Sequence, residues 1–123
     1  MKKLLNIRYD IPNDISGMVY PKDELEKAVS KYLTKPIATR LVGGDTDQGK
    51  FDLSLACGVV EDIVFLEDHN IEVDIILYDN TPYGSVINSL ETDNFRLSVV
   101  MKGNVNKDRT LTNLEICHFY LII

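Results

Sequence analysis

The sequence predicts an α+β fold: a single domain in which a bent, mostly antiparallel sheet or partial β-barrel packs with two helices. Three observations carry this. Apolar residues recur at helical spacing in only two stretches, around Leu25 and around Val86. Most of the remaining chain alternates at period two or runs in short apolar blocks, as strands do. The 123 residues also suffice for one hydrophobic core, with no linker, repeat or low-complexity stretch dividing them, so residues 1–123 read as one domain.

Residues 3–9 read as a strand with Leu5 and Ile7 on one face, followed by turn signals at Asn13-Asp14 and Ser16-Gly17. Tyr20-Pro21 opens a helix, because proline suits a first helical position whose N–H has no intrahelical partner. Asp23 and Glu24 favour the positive end of the helix dipole, and Leu25, Ala28, Val29, Tyr32 and Leu33 form one stripe. Pro36 disfavours helical geometry at Lys35 and ends the helix near Thr34. Beyond it, Ile37–Val42 reads as a strand, residues 43–50 as a loop, and Phe51, Leu53 and Leu55 as a half-buried strand alternating with Asp52 and Ser54. Residues 58–66 and 71–78 form a hairpin turning at Glu67-Asp68-His69-Asn70, with Ile71, Val73, Ile75 and Leu77 facing the core. Thr81-Pro82 starts a short helix over 83–91. Phe95–Lys102 and Leu111–Ile123 are the last two strands, and the apolar Leu121-Ile122-Ile123 is expected to be paired or buried.

The charge balance is 13 basic against 19 acidic side chains, a net charge of −6. That excludes sequence-independent nucleic-acid binding, which relies on neutralising phosphates. A content of 45% hydrophobic and 26% charged residues excludes wholesale disorder. No apolar run approaches the roughly 18–20 residues of a membrane-spanning helix, and Met1-Lys2-Lys3-Leu4-Leu5 turns polar at Asn6, so neither a membrane segment nor a leader is expected. Cys57 and Cys117 lie in apolar segments without metal-type spacing and read as buried thiols of a reducing compartment.

Gly44 to Lys50 has the Gly-x-x-x-x-Gly-Lys spacing of a phosphate loop, but Phe51 stands where a hydroxyl should hold magnesium, and Asp45 and Asp47 repel phosphate. As a calcium loop, the same segment lacks its third ligand at Gly49 and its bidentate glutamate at Ala56. His69 reads as an exposed turn histidine and His118 as a strand histidine with a structural hydrogen bond; no spacing supports a metal. Cys117 and His118 are adjacent on a strand and point to opposite faces. The carboxylates Glu61-Asp62, Glu67-Asp68, Glu72 and Asp74 read as a solvated acidic outer face. No cofactor and no metal are expected, and no catalytic constellation stands out.

The order of short motifs adds to this. Ser16-Gly17-Met18-Val19-Tyr20-Pro21, followed by Leu25, Ala28 and Val29, resembles the "R-x-Y-P-x-x-x-L-x-x-A-V" opening of tailed-phage prohead (capsid maturation) proteases. Lys35-Pro36-Ile37 looks like their "K-P-V" entry, Val59 through Leu77 is similar to their central hairpin, and Asn80-Thr81-Pro82-Tyr83-Gly84 resembles their "T-P-x-G" turn. The resemblance spans residues 16–122 and implies a herpesvirus-assemblin type of fold, a phage origin and a place in the head. It also implies a catalytic histidine in a "G-E-x-x-H-P" context, where this chain has Thr39-Arg40-Leu41-Val42-Gly43-Gly44. The "S-x-R-G" serine stretch aligns with Val100-Met101-Lys102-Gly103, which puts valine at the nucleophile position, with Ser98 two residues away.

The expected function is therefore that of a non-catalytic structural protein of the phage head: an auxiliary, decoration or scaffold-associated component of the virion, met in the host cytoplasm during assembly. Its expected partners are the major capsid protein or other head proteins, and copies of itself; nucleic acid and membrane are not among them. The ancestral cleft would lie between strand 95–103 and loop 43–50, with Asp45, Asp47, Lys50, Ser98, Val100 and Lys102 as candidate binding residues and strand addition as the mode. The alternatives are a divergent serine protease using Ser98 with His69 or His118, and a phage inhibitor of a host protein or signal.

Overall fold

Where the apolar alternation points decides the architecture. The structure, a computed structural model, describes residues 1–45, 50–90 and 94–123. In chain order its elements are β1 (Lys2–Arg8), α1 (Lys22–Leu33), β2 (Leu41–Gly44), β3 (Gly58–Phe65), β4 (Asn70–Leu77), α2 (Pro82–Ser89), β5 (Arg96–Val105) and β6 (Leu111–Ile122), with 3-10 turns at Ile37–Thr39 and Leu53–Leu55. The strands close into a barrel in the order β1-β4-β3-β2-β6-β5. Closure is more complete than a bent sheet or partial barrel.

Four ladders are antiparallel, and two parallel contacts complete the ring: β2 with β6 at Val42↔Phe119 to Gly44↔Leu121, and β1 with β5 at the single pair Leu5↔Leu97. Closing the ring removes the long open edges that an acidic outer face would otherwise have to protect. One partial edge persists among the described residues, because β5 runs on to Val105 beyond its only pairing with β1.

Residues facing each other across a ladder share a face, so the interior follows from the register. Leu5, Val42, Val60, Val73, Leu97, Phe119 and Leu121 are all buried. Helix α1 lies against β6 and presents Leu25, Ala28, Val29 and Tyr32, the stripe its spacing predicts. The Tyr32 ring meets Phe119 edge-on, with centroids 5.4 Å apart. Burying one such side chain stabilises the fold by about 1.5–3 kcal/mol. Pro21 occupies the N-cap position, one residue before the first helical position expected of it and with no side-chain cap bond; Asp10 Oδ1 instead accepts from the Lys22 N–H at 2.8 Å. Thr81 caps α2, accepting from the Gly84 N–H at 3.0 Å while its hydroxyl donates to the Ala56 carbonyl at 2.8 Å.

Two expected strands take other forms. Ile37–Val42 is a 3-10 turn at Ile37–Thr39 and only then β2, so the predicted loop 43–50 begins inside a strand. The alternation at 51–55 is not a strand. Asp52 Oδ1 accepts from both the Ser54 N–H (2.9 Å) and the Ser54 hydroxyl (2.7 Å), a local bond that turns the chain into the Leu53–Leu55 3-10 turn. The second helix ends at Ser89 rather than 91. Of the cysteines, Cys57 is fully buried and Cys117 only partly.

Two residues of β6 are extra to its ladder with β5. Between Val100↔His118 and Met101↔Ile116, β6 advances two residues to one of β5, leaving Cys117 unopposed; between Lys102↔Glu115 and Asn104↔Thr112 the extra residue falls at Asn113, whose φ is 53°. Such bulges bend a strand, and here they let a 12-residue strand curve around the barrel.

One polar atom on α1 stands out. The Tyr32 hydroxyl is buried and has no hydrogen-bond partner among the described residues, as is the case for Nε of Arg40, and burial pushes the Tyr32 phenol up to about 12. Removing an unsatisfied buried hydroxyl relieves a desolvation cost. Tyr32→Phe is therefore expected to leave stability unchanged or raise it by up to about 1 kcal/mol, read from urea denaturation midpoints.

Candidate functional site

The β5/β6 register sorts the candidate residues. Leu97 opposes Leu121 and Val99 opposes Phe119, and Leu97, Phe119 and Leu121 are core residues. The alternate pairs, Ser98↔Tyr120 and Val100↔His118, therefore face outward, away from the barrel interior. Ser98 and His118 are diagonal neighbours on this outer face, a separation of roughly 7–8 Å between such positions. No hydrogen bond joins them among the described residues.

The face continues onto β2, where Gly43 pairs with Tyr120. Phe51 lies over that glycine: a Cβ at position 43 would stand 3.0 Å from Phe51 Cε2. The same ring meets His118 edge-on at 5.6 Å, and His118 lies 6.3 Å from Tyr120. A side chain at 43 would therefore force the Phe51 ring to shift by a few tenths of an ångström from its place beside the imidazole. Ser98 is only 5% exposed. His118 packs against Phe51 and Tyr120, the structural hydrogen bond expected of it is not made among the described residues, and burial holds its pKa below the ordinary histidine value. Among the described residues no carboxylate is bonded to it, so nothing there orients the ring as a base.

The other candidates separate. His69 sits in the β3–β4 turn at φ 69°, half-buried rather than exposed, with Nδ1 3.0 Å from the Tyr9 carbonyl oxygen. Parallel pairing of Leu5 with Leu97 sets Ser98 level with Asn6, so Tyr9, just past the end of β1, lies three residues or roughly 10 Å further along the barrel, and His69 is held there. Its role is to tie the hairpin to Tyr9, whose hydroxyl also donates to the Leu66 carbonyl. Lys102 is exposed and follows Val100 outward on β5, opposite Glu115. Asp45 and Lys50 are both exposed, and the Asp45 charge contributes to holding the Tyr83 phenol above its usual range, after burial and Cys57. Asp47 lies outside the described residues.

The same arrangement bears on the other motifs and clusters. Gly43 and Gly44 are paired strand residues, and Tyr83 fills the space over Gly44, so the Gly-x-x-x-x-Gly-Lys segment does not begin as a phosphate cradle. Among the described residues no three histidine, cysteine or acidic side chains come together as metal ligands. The Cys57 thiol is fully buried, 3.4 Å from the Val42 carbonyl oxygen, and burial pushes it up to about 12, which makes it inert as a nucleophile. No described helix is long and apolar enough to cross a membrane. Phe51, Tyr120 and Gly43 are the site residues that sequence reasoning missed. Only a strand pairing between β2 and β6 brings them together, and no local signal encodes it.

With its imidazole held neutral by burial, the folded protein resists a proton that the unfolded chain accepts near pH 6.5. The contribution of this group to stability is full above that value and declines as pH falls from it toward the lower folded-state pKa. Urea midpoints of the wild type are expected to drop further between pH 8 and pH 5 than those of His118→Asn; equal drops would show that the ring titrates as freely folded as unfolded.

Searches against protein-family models and against curated proteins return no match for this chain. Among solved structures the chain is similar to that of the bacteriophage T4 capsid assembly protease, gp21, with 16% sequence identity and a TM-score of 0.65. The similarity covers 99% of this chain and 80% of that one. At this identity the likeness establishes a prohead-protease-like fold.

Proposed function

We propose that this chain is a phage head-associated protein that binds other head proteins and does not cut them. The observation that carries the reading is the condition of Ser98. It lies on the outer β5/β6 face, nearly covered, with no hydrogen bond to an imidazole among the described residues. A serine hydroxyl is a weak nucleophile until a positioned base takes its proton. The imidazole nearest along the sheet, His118, is packed against Phe51 with no acidic partner among the described residues. The similarity in fold to a capsid assembly protease supports a setting in head assembly.

In this reading Val100, Lys102, Asp45, Asp47 and Lys50 serve recognition. The unpaired stretch of β5 beyond Leu97 offers backbone groups to which an extended segment of a partner adds as a strand. The major capsid protein is the partner proposed, and the net charge of −6 suits a basic surface on it.

One observation favours a second reading, a divergent serine peptidase. Ser98 and His118 occupy the same face, one diagonal step apart. In that mechanism the neutral His118 takes the Ser98 proton as the hydroxyl attacks a peptide carbonyl.

Two measurements separate the readings. A tagged copy recovered from cells infected with its phage is expected to be intact and to carry capsid proteins, by mass spectrometry of partners and of the bait's own ends. The purified chain is expected to resist a fluorophosphonate probe. A covalent adduct on Ser98 that disappears in His118→Asn would establish the peptidase instead. Recovery with a host protein and no capsid component would make the chain an inhibitor of that protein.

A further inference from the structure

Tyr32 and Arg40 have more in common than their orphaned polar atoms. The Tyr32 hydroxyl and the Arg40 Nε are both buried, and neither is bonded to the other or to any described residue. They are neighbours all the same: burial raises the Tyr32 phenol and the Arg40 charge acts against it, so the two lie within electrostatic reach. A second cation converges on the same ring, with Lys35 Nζ 5.6 Å from its centroid. Lys35 follows the C-terminal end of α1, where helix carbonyls favour a positive charge. That accounts for Lys35 but not for the orphaned Arg40 Nε. No carboxylate pairs with either cation among the described residues, although the chain carries 19 acidic side chains against 13 basic ones. Buried donors are ordinarily satisfied, and two unsatisfied ones beside two cations need an acceptor.

Arg40 also lines a recess of about 130 Å³, whose other walls are Ile37, Val59, Val60, Ile76 and Glu61. Val59 opposes Ile76 on the β3–β4 ladder, so the recess lies on that side of the barrel, apart from the outer β5/β6 face. Ile37 and Ile76 are exposed and give its mouth an apolar lip. Arginine carries donors only, and a tyrosine hydroxyl can donate as well. An oxyanion satisfies such groups best, because its bonds to a guanidinium are charge-assisted. Glu61 is exposed on the wall and forms no ion pair with Arg40. Its charge disfavours a doubly charged anion such as phosphate and tolerates a singly charged one better. The volume admits a carboxylate and a few carbons.

We propose that this recess binds a small carboxylate carried on a branched apolar group, with a carboxylate oxygen accepting from Arg40 Nε and the apolar group lying against Ile37 and Ile76. A free short-chain acid and the C-terminus of a peptide ending in an aliphatic residue present this same chemistry. The inference stands independently of whether Ser98 is catalytic.

Nitrogen–proton correlation NMR on the full chain, which observes the Arg40 Nε–H itself, tests it at constant ionic strength so that screening does not vary. Isobutyrate is expected to shift that signal saturably, and isobutyramide, alike in shape but uncharged, to leave it in place. Arg40→Gln is expected to weaken binding roughly tenfold or more, followed at the amides of Ile37 and Ile76. Glu61→Gln, at an exposed position where folding is not at risk, is expected to tighten it roughly two- to fivefold. N-acetylvaline binding at least as tightly as isobutyrate would assign the site to a peptide terminus, and binding of isobutyrate alone would assign it to a free acid. The absence of a saturable shift overturns the proposal, since water then satisfies these donors. Equal binding of isobutyramide or of inorganic phosphate overturns it too, as does an affinity unmoved by Arg40→Gln.

Discussion

The ladder between β5 and β6 is the constraint on which the rest of this structure depends. Its register puts Leu97 against Leu121 and Val99 against Phe119, and those residues supply much of the barrel's filling. The same register leaves Ser98, Val100, His118 and Tyr120 no choice of side. Core and candidate site are two faces of one pairing, and a slip of one residue would exchange them. Helix α1 reinforces the arrangement, since Tyr32 packs on Phe119.

Within that frame the outer face is closed by an absence. Gly43, directly opposite Tyr120, leaves room for the Phe51 ring, and the ring then shields His118. The electrostatic outcome follows from packing: an imidazole held neutral, beside a hydroxyl to which it is not bonded. A face of this kind offers shape and aromatic surface.

How much of this the sequence displays depends on the range of the interaction. Helix α1 is legible because its stripe, its first-turn acids and the stop at Pro36 are all local. The β3–β4 hairpin is legible because a short turn and strict alternation set its register. The segment 51–55 misleads for a local reason: Asp52 competes for Ser54 and curls a chain whose apolar pattern reads as extended. The site is mostly illegible. Ser98 and His118 are visible as isolated residues, but their shared face depends on strand pairing, and Phe51 reaches them only because β2 lies parallel to β6. The motif order that resembles prohead proteases captures the fold without capturing this geometry.

The barrel's seam has a consequence for how the protein assembles itself. Strands β1 and β5 share one ladder pair, Leu5 with Leu97, and those residues lie far apart in the chain. The hairpins β3–β4 and β5–β6 join close neighbours and gain their contacts early, whereas the seam gathers its small reward only after the largest loop has been closed. Loop-closure entropy therefore favours late closure of this seam. In the native ensemble the ring should breathe at this join, with its backbone amides exchanging with solvent ahead of those in the β5–β6 ladder.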